Sequence, residues 1–223
     1  MRPRMIVVAG PPGSGKSTAF PVAASEVDYL NVDDLAARMN HGSYRNIPSE
    51  IRAEANRRCE AFIEEHIREK KSFAVEATLR TEITFEQARA ARANGFAVHM
   101  TFVATDDVEA NIERVAMRAD RGGHSASAAR IRKTYEASLK HFPRALRELD
   151  EVTAFDNSAL AQNPRLVLVA ERGRITYVAQ GPPSWLQRSL TGTDDATRRP
   201  GPGEADTTPS TGEPERNEEH RDG

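Results

Sequence analysis

The strongest constraint on this chain lies at its start. The apolar run MIVVA (residues 5–9) passes directly into GPPGSGKS (residues 10–17), which matches G-x-x-x-x-G-K-[ST]. A short apolar run, then a glycine-rich turn, then residues with helical periodicity describes a buried strand, a tight loop and a helix that opens on the loop's last residues. Gly13 and Gly15 permit positive φ and carry no Cβ, so successive backbone N–H groups can turn inward on an anion. The helix N-terminus adds the favourable end of its dipole. Such a loop, built from Gly10, Pro11, Pro12, Gly13, Ser14, Gly15, Lys16, Ser17 and Thr18, holds the phosphates of a nucleoside triphosphate. Lys16 would reach the β- and γ-phosphates, and Ser17 would offer its hydroxyl to Mg²⁺. ATP and Mg²⁺ are therefore the expected cofactors. Pro21 lacks the N–H that would bond the carbonyl of Ser17, so the helix is expected to bend after its first turn.

Strands and helices alternate after this loop. Apolar runs at residues 5–9, 29–33, 72–78, 96–104 and 152–157 read as strands. Helical periodicity fills 16–25, 34–40, 48–70, 82–94, 106–119, 127–141 and 143–149. Short continuous apolar strands separated by helices predict an α/β fold of the P-loop NTPase and kinase type: a parallel sheet of about five strands with helices on both faces. RLVLVAERGRITYVAQG adds a C-terminal hairpin turning at Glu171 to Gly173, at the sheet edge or beside it.

Apolar runs stop near residue 190, which predicts one domain over 1–190. Beyond Leu190 no aliphatic residue is larger than alanine, so 191–223 is expected to be a disordered acidic Pro/Gly-rich tail. The tail holds nine acidic residues against four arginines, a charge of −5, which leaves +3 on the body for the chain's total of −2. That balance suits phosphate-bearing ligands and gives no reason to expect nucleic acid. No apolar span of about 20 residues is present, and the N-terminus does not read as a secretory signal, so no membrane partner is expected. The single cysteine, Cys59, agrees with a reducing compartment, and a cytoplasmic location is expected.

The acceptor of the phosphate is sought at the carboxyl ends of the other strands, where ligands of doubly wound sheets lie. YLNVDD brings Asp33 and Asp34 to a strand-to-helix corner. Transfer to an alcohol needs a carboxylate near the acceptor hydroxyl, and Asp33 is the candidate base, with helix capping as the competing role for either aspartate. FAVEATLR brings Glu76, Thr78 and Arg80 to the same edge as candidate substrate-binding residues. ERVAMRADRGGH carries Arg114, Arg118 and Arg121 as candidate clamps on the transferred phosphate, followed by Gly122-Gly123 as a break suited to a mobile cover. His124 reads as a loop or substrate-orienting residue.

Together, GPPGSGKST, NVDD, EATLR, RVAMRADRGGH, IRKTYEASLKHF and FDNS resemble the zeta toxin family of P-loop kinases, over about Met5 to Ser158. The resemblance implies ATP- and Mg²⁺-dependent phosphorylation of a hydroxyl on a UDP-activated amino sugar, in the manner of a UDP-N-acetylglucosamine 3'-phosphotransferase. It makes Lys16 the phosphate lysine, Ser17 the metal-side hydroxyl, Asp33 the base and Arg118 the clamp. Glu76, Thr78 and Arg80 become substrate-side groups, and an antitoxin protein becomes a candidate partner. The first strand is expected to start almost at Met5, which leaves no separate N-terminal antitoxin domain in this sequence. After Gly-Gly-His the chain reads SASAA where the family usually carries Val and Pro. The segment between the second and third strands is also short for the sugar-nucleotide pocket of larger members. Another small-molecule acceptor, such as a nucleoside or antibiotic, is the first alternative, and a nucleotide-binding ATPase or regulator is the second.

Overall fold

The computed structural model describes residues 2–20, 26–120, 122–123, 125–159 and 162–191. Strand β1 (Arg4–Ala9) leads through the glycine-rich loop into the short helix α1 (Lys16–Ala19). Then follow β2 (Asp28–Leu30), α2 (Val32–Met39), α3 (Ser49–Glu69), β3 (Phe73–Ala77), α4 (Ile83–Ala93), β4 (Ala97–Ala104) and α5 (Val108–Asp120). The chain continues through α6 (Ala128–Glu148), β5 (Glu151–Asp156), β6 (Arg165–Glu171), β7 (Arg174–Val178) and α7 (Ser184–Thr191).

One sheet takes the order β2-β3-β1-β4-β5-β6-β7. The first five strands in that order are parallel, and β6 and β7 extend the edge antiparallel. The predicted five-stranded parallel sheet is therefore present, and the hairpin lies in the same sheet. Strands β1, β3 and β4 supply a continuous core of Met5, Val7, Phe73, Val75, Val98, Met100 and Phe102. Such strands are apolar on both faces because helices cover both. The chain leaves β1 toward β2 and leaves β4 toward β5, so the direction of winding reverses between β1 and β4. That reversal opens a crevice at the strands' carboxyl ends.

Three local features differ from the sequence expectation. Strand β2 ends at Leu30 and Asn31 caps α2, its side chain accepting from the amides of Asp33 (2.9 Å) and Asp34 (3.3 Å). Cap duty thus falls to Asn31, and both aspartates lie in the helix's first turn, where their charge complements the dipole. Helix α6 runs unbroken through Pro143. The missing hydrogen bond is outweighed by burial of Phe142, Ala145 and Leu146 on the flanking turn. Helix α7 was not anticipated, and its anchors are remote in sequence. Asp106, just after β4, accepts from the amides of Ser184 (3.1 Å) and Trp185 (2.6 Å), and Asp156 at the end of β5 accepts from the indole of Trp185 (3.0 Å). The predicted bend at Pro21 lies outside the described residues, as does the predicted tail apart from Thr191, which ends α7.

Trp185 is fully buried, with its ring 5.8 Å from Phe102 and 5.6 Å from Phe142. Trp185→Ala is expected to destabilise the fold by about 3–5 kcal/mol, combining lost transfer energy with a cavity. Urea denaturation measures this, and a loss under about 1 kcal/mol would show that α7 is not integral to the core.

Candidate active site

The loop from Gly10 to Thr18 stands at the crevice and is fixed on two sides. Gly10 donates its amide to Ala77 of β3 (3.3 Å), and Asn157, after β5, donates its side-chain amide to the carbonyl of Ser14 (2.8 Å). Gly10 (φ 141°) and Gly13 (φ 76°) admit no side chain. A Cβ at Gly10 would lie 2.1 Å from the Val103 carbonyl oxygen, and one at Gly13 would lie 2.4 Å from the Asn111 carbonyl oxygen. Ser14 is fully buried with its hydroxyl unpartnered, whereas Ser17 and Thr18 are exposed. Cramped glycines, an unsatisfied loop hydroxyl and an exposed hydroxyl on the first turn of α1 fit a triphosphate and its Mg²⁺.

The Lys16 side chain folds across the loop. Its ammonium donates to the carbonyls of Gly10 (3.0 Å) and Pro11 (3.1 Å) and lies 3.4 Å from Oε1 of Glu76. Strand register explains the last contact, since β3 runs beside β1 with Glu76 opposite Val8. The other carboxylate oxygen of Glu76 accepts from the Tyr29 hydroxyl (2.8 Å). Burial and the neighbouring Glu76 carboxylate push the Tyr29 hydroxyl well above its ordinary pKa, so this phenol is a fixed donor at neutral pH.

A cleft of about 400 Å³ opens beside the loop. It is lined by Pro12 from the loop, Asp33 from α2, Glu76 from β3, and Thr78 and Arg80 from the turn after β3. Five candidates from three separate sequence segments therefore share one cavity, and Glu76 ties that cavity to Lys16. Asp34 is drawn aside, accepting from the Tyr44 hydroxyl (2.7 Å). Burial, followed by this bond to Asp34, raises the Tyr44 pKa to about 12.

The arginines are distributed differently. Arg114 reaches past the loop and donates to the Asn157 carbonyl (3.0 Å), leaving its second terminal nitrogen buried without a partner. Arg118 is exposed near the end of α5, close enough to Tyr44 to oppose that hydroxyl's upward pKa shift. Neither residue lines the cleft. Arg121 and His124 lie outside the described residues. Among the described residues, no group of three or more His, Cys, Asp or Glu is placed to hold a metal, and no helix is long and apolar enough to cross a membrane.

The fold has counterparts among known proteins. The zeta toxin family model matches residues 1–178. The chain belongs to the zeta toxin family. A relative from Haemophilus influenzae, described only as an uncharacterized protein, is 29% identical over 126 residues, covering 56% of this chain and 86% of the relative. Among solved structures, a chain of the PezAT chromosomal toxin-antitoxin system of Streptococcus pneumoniae matches with a TM-score of 0.56 at 14% identity, over 87% of each chain. A chain of the AvrRxo1-ORF1:AvrRxo1-ORF2 complex with sulphate ions matches with a TM-score of 0.63 at 15% identity, over 85% of this chain and 64% of that one. The same complex with ATP gives 0.62 at 16% identity, over 90% and 66%. This chain thus spans just under two thirds of those larger chains. At such identities the structural likeness establishes the zeta toxin fold and leaves chemistry to the site.

Sequence reasoning missed Tyr29, Asn31, Asn157 and Tyr44 as individual contributors. Tyr29 meets Glu76 across 47 positions, and Asn157 meets Ser14 across 143. Only Asn31 left a local signal, as a polar residue directly before the acidic first turn.

Cys59 also lines the cleft, and burial, with the Glu60 charge second, pushes its thiol up to about 11. Its alkylation by iodoacetamide is expected to accelerate with pH up to about 11, because the thiolate is the nucleophile. A rate that levels off near the ordinary thiol value of about 8.5 would contradict this placement.

Proposed function

We propose that the protein is an ATP-dependent phosphotransferase that moves the γ-phosphoryl group to a hydroxyl of a small molecule held in the cleft. The observation that carries this reading is the shared cavity. Pro12 of the phosphate loop faces the same space as Asp33, Glu76, Thr78 and Arg80, and Glu76 touches the loop lysine. A carboxylate beside a phosphate loop, with polar groups to hold an alcohol, is what such a transfer requires.

Residues 10–18 bind the triphosphate through backbone amides, and Lys16 carries positive charge to the transferring group. The Ser17 hydroxyl would hold Mg²⁺, which would supply charge neutralisation for the triphosphate. Asp33 orients the acceptor hydroxyl. The acceptor oxygen bonds to the γ-phosphorus, the bond from that phosphorus to the bridging oxygen of ADP breaks, and the hydroxyl proton passes to the Asp33 carboxylate. Glu76, with one oxygen toward Lys16 and the other held by Tyr29, fixes the lysine against the acceptor side. Thr78 and Arg80 hold the acceptor. Arg118 clamps the phosphoryl group, and Arg114 and Arg121 support it from α5 and the segment that follows. Little covalent help is needed, so positioning and electrostatics carry the rate.

Family membership supports a UDP-amino sugar as the acceptor to try first, with other metabolites next. The toxin-antitoxin setting of PezAT supports a search for an antitoxin partner, and ATP-dependence suits a cytoplasmic location. The test incubates the protein with ATP, Mg²⁺ and a metabolite panel that includes UDP-N-acetylglucosamine, and follows phosphorylated products by mass spectrometry. Asp33→Asn is expected to lower kcat by about 10²–10⁴-fold while ATP-analogue binding persists, and Lys16→Ala is expected to abolish turnover. Wild-type turnover in Asp33→Asn would remove the assigned base.

A further inference from the structure

The lysine that must meet the triphosphate is already faced by a carboxylate. An ammonium has three donors. Lys16 gives two of them to the carbonyls of Gly10 and Pro11, within its own loop, and its ammonium lies 3.4 Å from Oε1 of Glu76. Because Lys16 is only 7% exposed, water screens this pair weakly. The two carbonyls hold the lysine in the loop, so the Glu76 contact is the one that a phosphate oxygen has to share or replace. A negative charge at this point offsets the positive charge that the lysine brings to the transferring group, and it repels a triphosphate. A glutamate placed here slows any reaction that leaves it paired with the lysine.

Neighbouring strands hold the glutamate in this position. Tyr29 of β2 is in register with Ala74 of β3, and Glu76 lies two residues further along β3 on the same face, within reach of the phenol. The Tyr29 hydroxyl donates to Oε2 at 2.8 Å, so the carboxylate is pinned by one oxygen and faces Lys16 with the other. Burial, and then the Glu76 charge, raise the Tyr29 pKa, which keeps the phenol a donor. Strand β2 has only three residues, and Asp28 moors it to α3 through Nε2 of His66 at 3.0 Å. Glu76 also lines the cleft beside Asp33, Thr78 and Arg80. One carboxylate is therefore shared between the lysine of the loop and whatever occupies the cleft. A hydroxyl that donates to Glu76 from the cleft side spreads its charge over another partner and weakens its hold on Lys16.

We propose that Tyr29, Glu76 and Lys16 form an autoinhibitory latch that ties phosphoryl transfer to occupancy of the cleft. With the cleft empty, Glu76 withholds the lysine's charge from the γ-phosphoryl group and ATP hydrolysis is suppressed. An acceptor hydroxyl that donates to Glu76 releases that charge for transfer. In the reaction held back, a water oxygen bonds to the γ-phosphorus and the bond from that phosphorus to the bridging oxygen of ADP breaks. The products are ADP, inorganic phosphate and a proton released to solvent. This regulation rests on the phosphotransferase reading of the same site.

Two measurements on the full chain test it. The first is ADP formation from ATP and Mg²⁺ with no acceptor added. Glu76→Gln is expected to raise this rate about tenfold or more, and Tyr29→Phe about threefold or more in the same direction. Because Tyr29 acts through Glu76, Tyr29→Phe adds nothing in the Glu76→Gln background. Tyr177→Phe, the same change at an exposed tyrosine of β7, leaves the rate unchanged. The second is acetylation of lysines by an N-hydroxysuccinimide ester without nucleotide, followed by peptide mass spectrometry. Both variants are expected to accelerate modification of Lys16 by about threefold or more, while the exposed Lys133 and Lys140 react as in wild type. The latch is overturned if either variant hydrolyses ATP no faster than wild type, if the two effects add, or if Lys133 and Lys140 accelerate together with Lys16. Should wild type phosphorylate an acceptor while the variants hydrolyse ATP at its rate, the latch falls and the phosphotransferase reading stands. Should no acceptor in the metabolite panel be phosphorylated while Glu76→Gln hydrolyses ATP faster, the transfer reading falls and the brake on Lys16 stands.

Discussion

Parallel pairing of β1 with β3 sets Val8 opposite Glu76 and Ala9 opposite Ala77, and the Gly10 amide extends the ladder by donating to the Ala77 carbonyl. This register brings a glutamate to a lysine 60 positions away and couples the phosphate loop to the neighbouring cleft. A slip of one residue would turn Glu76 to the opposite face of the sheet and separate the two. The apolar runs that make β1 and β3 into buried neighbours thus also specify the electrostatics at their ends. Core and site share one determinant.

The loop's other flank is held by polar contacts from the far side of the sheet. Asn157 reaches the Ser14 carbonyl, Arg114 reaches the Asn157 carbonyl, and Ser158 bridges Asp156 to the amide of Asp106. Strands β4 and β5 therefore contribute support after their last residues rather than along their length. This division of labour, apolar residues inside the strands and hydrogen-bonding residues just beyond them, follows from the geometry of a sheet covered on both faces.

Much of this was legible in the sequence where the signal was local. The phosphate loop, the five parallel strands and the gathering of Asp33, Glu76, Thr78 and Arg80 could be read from strand ends and spacing, because each is set within a few residues. What could not be read depends on distant pairings. The hold of Tyr29 on Glu76, the fixing of Leu79 by His141 and the docking of α7 onto Asp106 and Asp156 each join segments far apart in sequence. The break expected between 127–141 and 143–149 is absent because burial of Phe142, Ala145 and Leu146 outweighs the hydrogen bond lost at Pro143. Asn31 displaced the aspartates as a cap because its side chain sits before the turn and theirs sit within it.

Helix α7 begins at Ser184, six residues after the family correspondence ends at residue 178. Its tryptophan nonetheless fills the space between Phe102 and Phe142, and two aspartates at the carboxyl edge of the sheet close on it. The evolutionary outline of the domain and its physical outline therefore do not coincide. Anyone trimming this polypeptide to the shared boundary would expose the flank of a core strand and strip two carboxylates of their amide and indole donors. The resulting fragment would be an unsound guide to the stability of the intact protein.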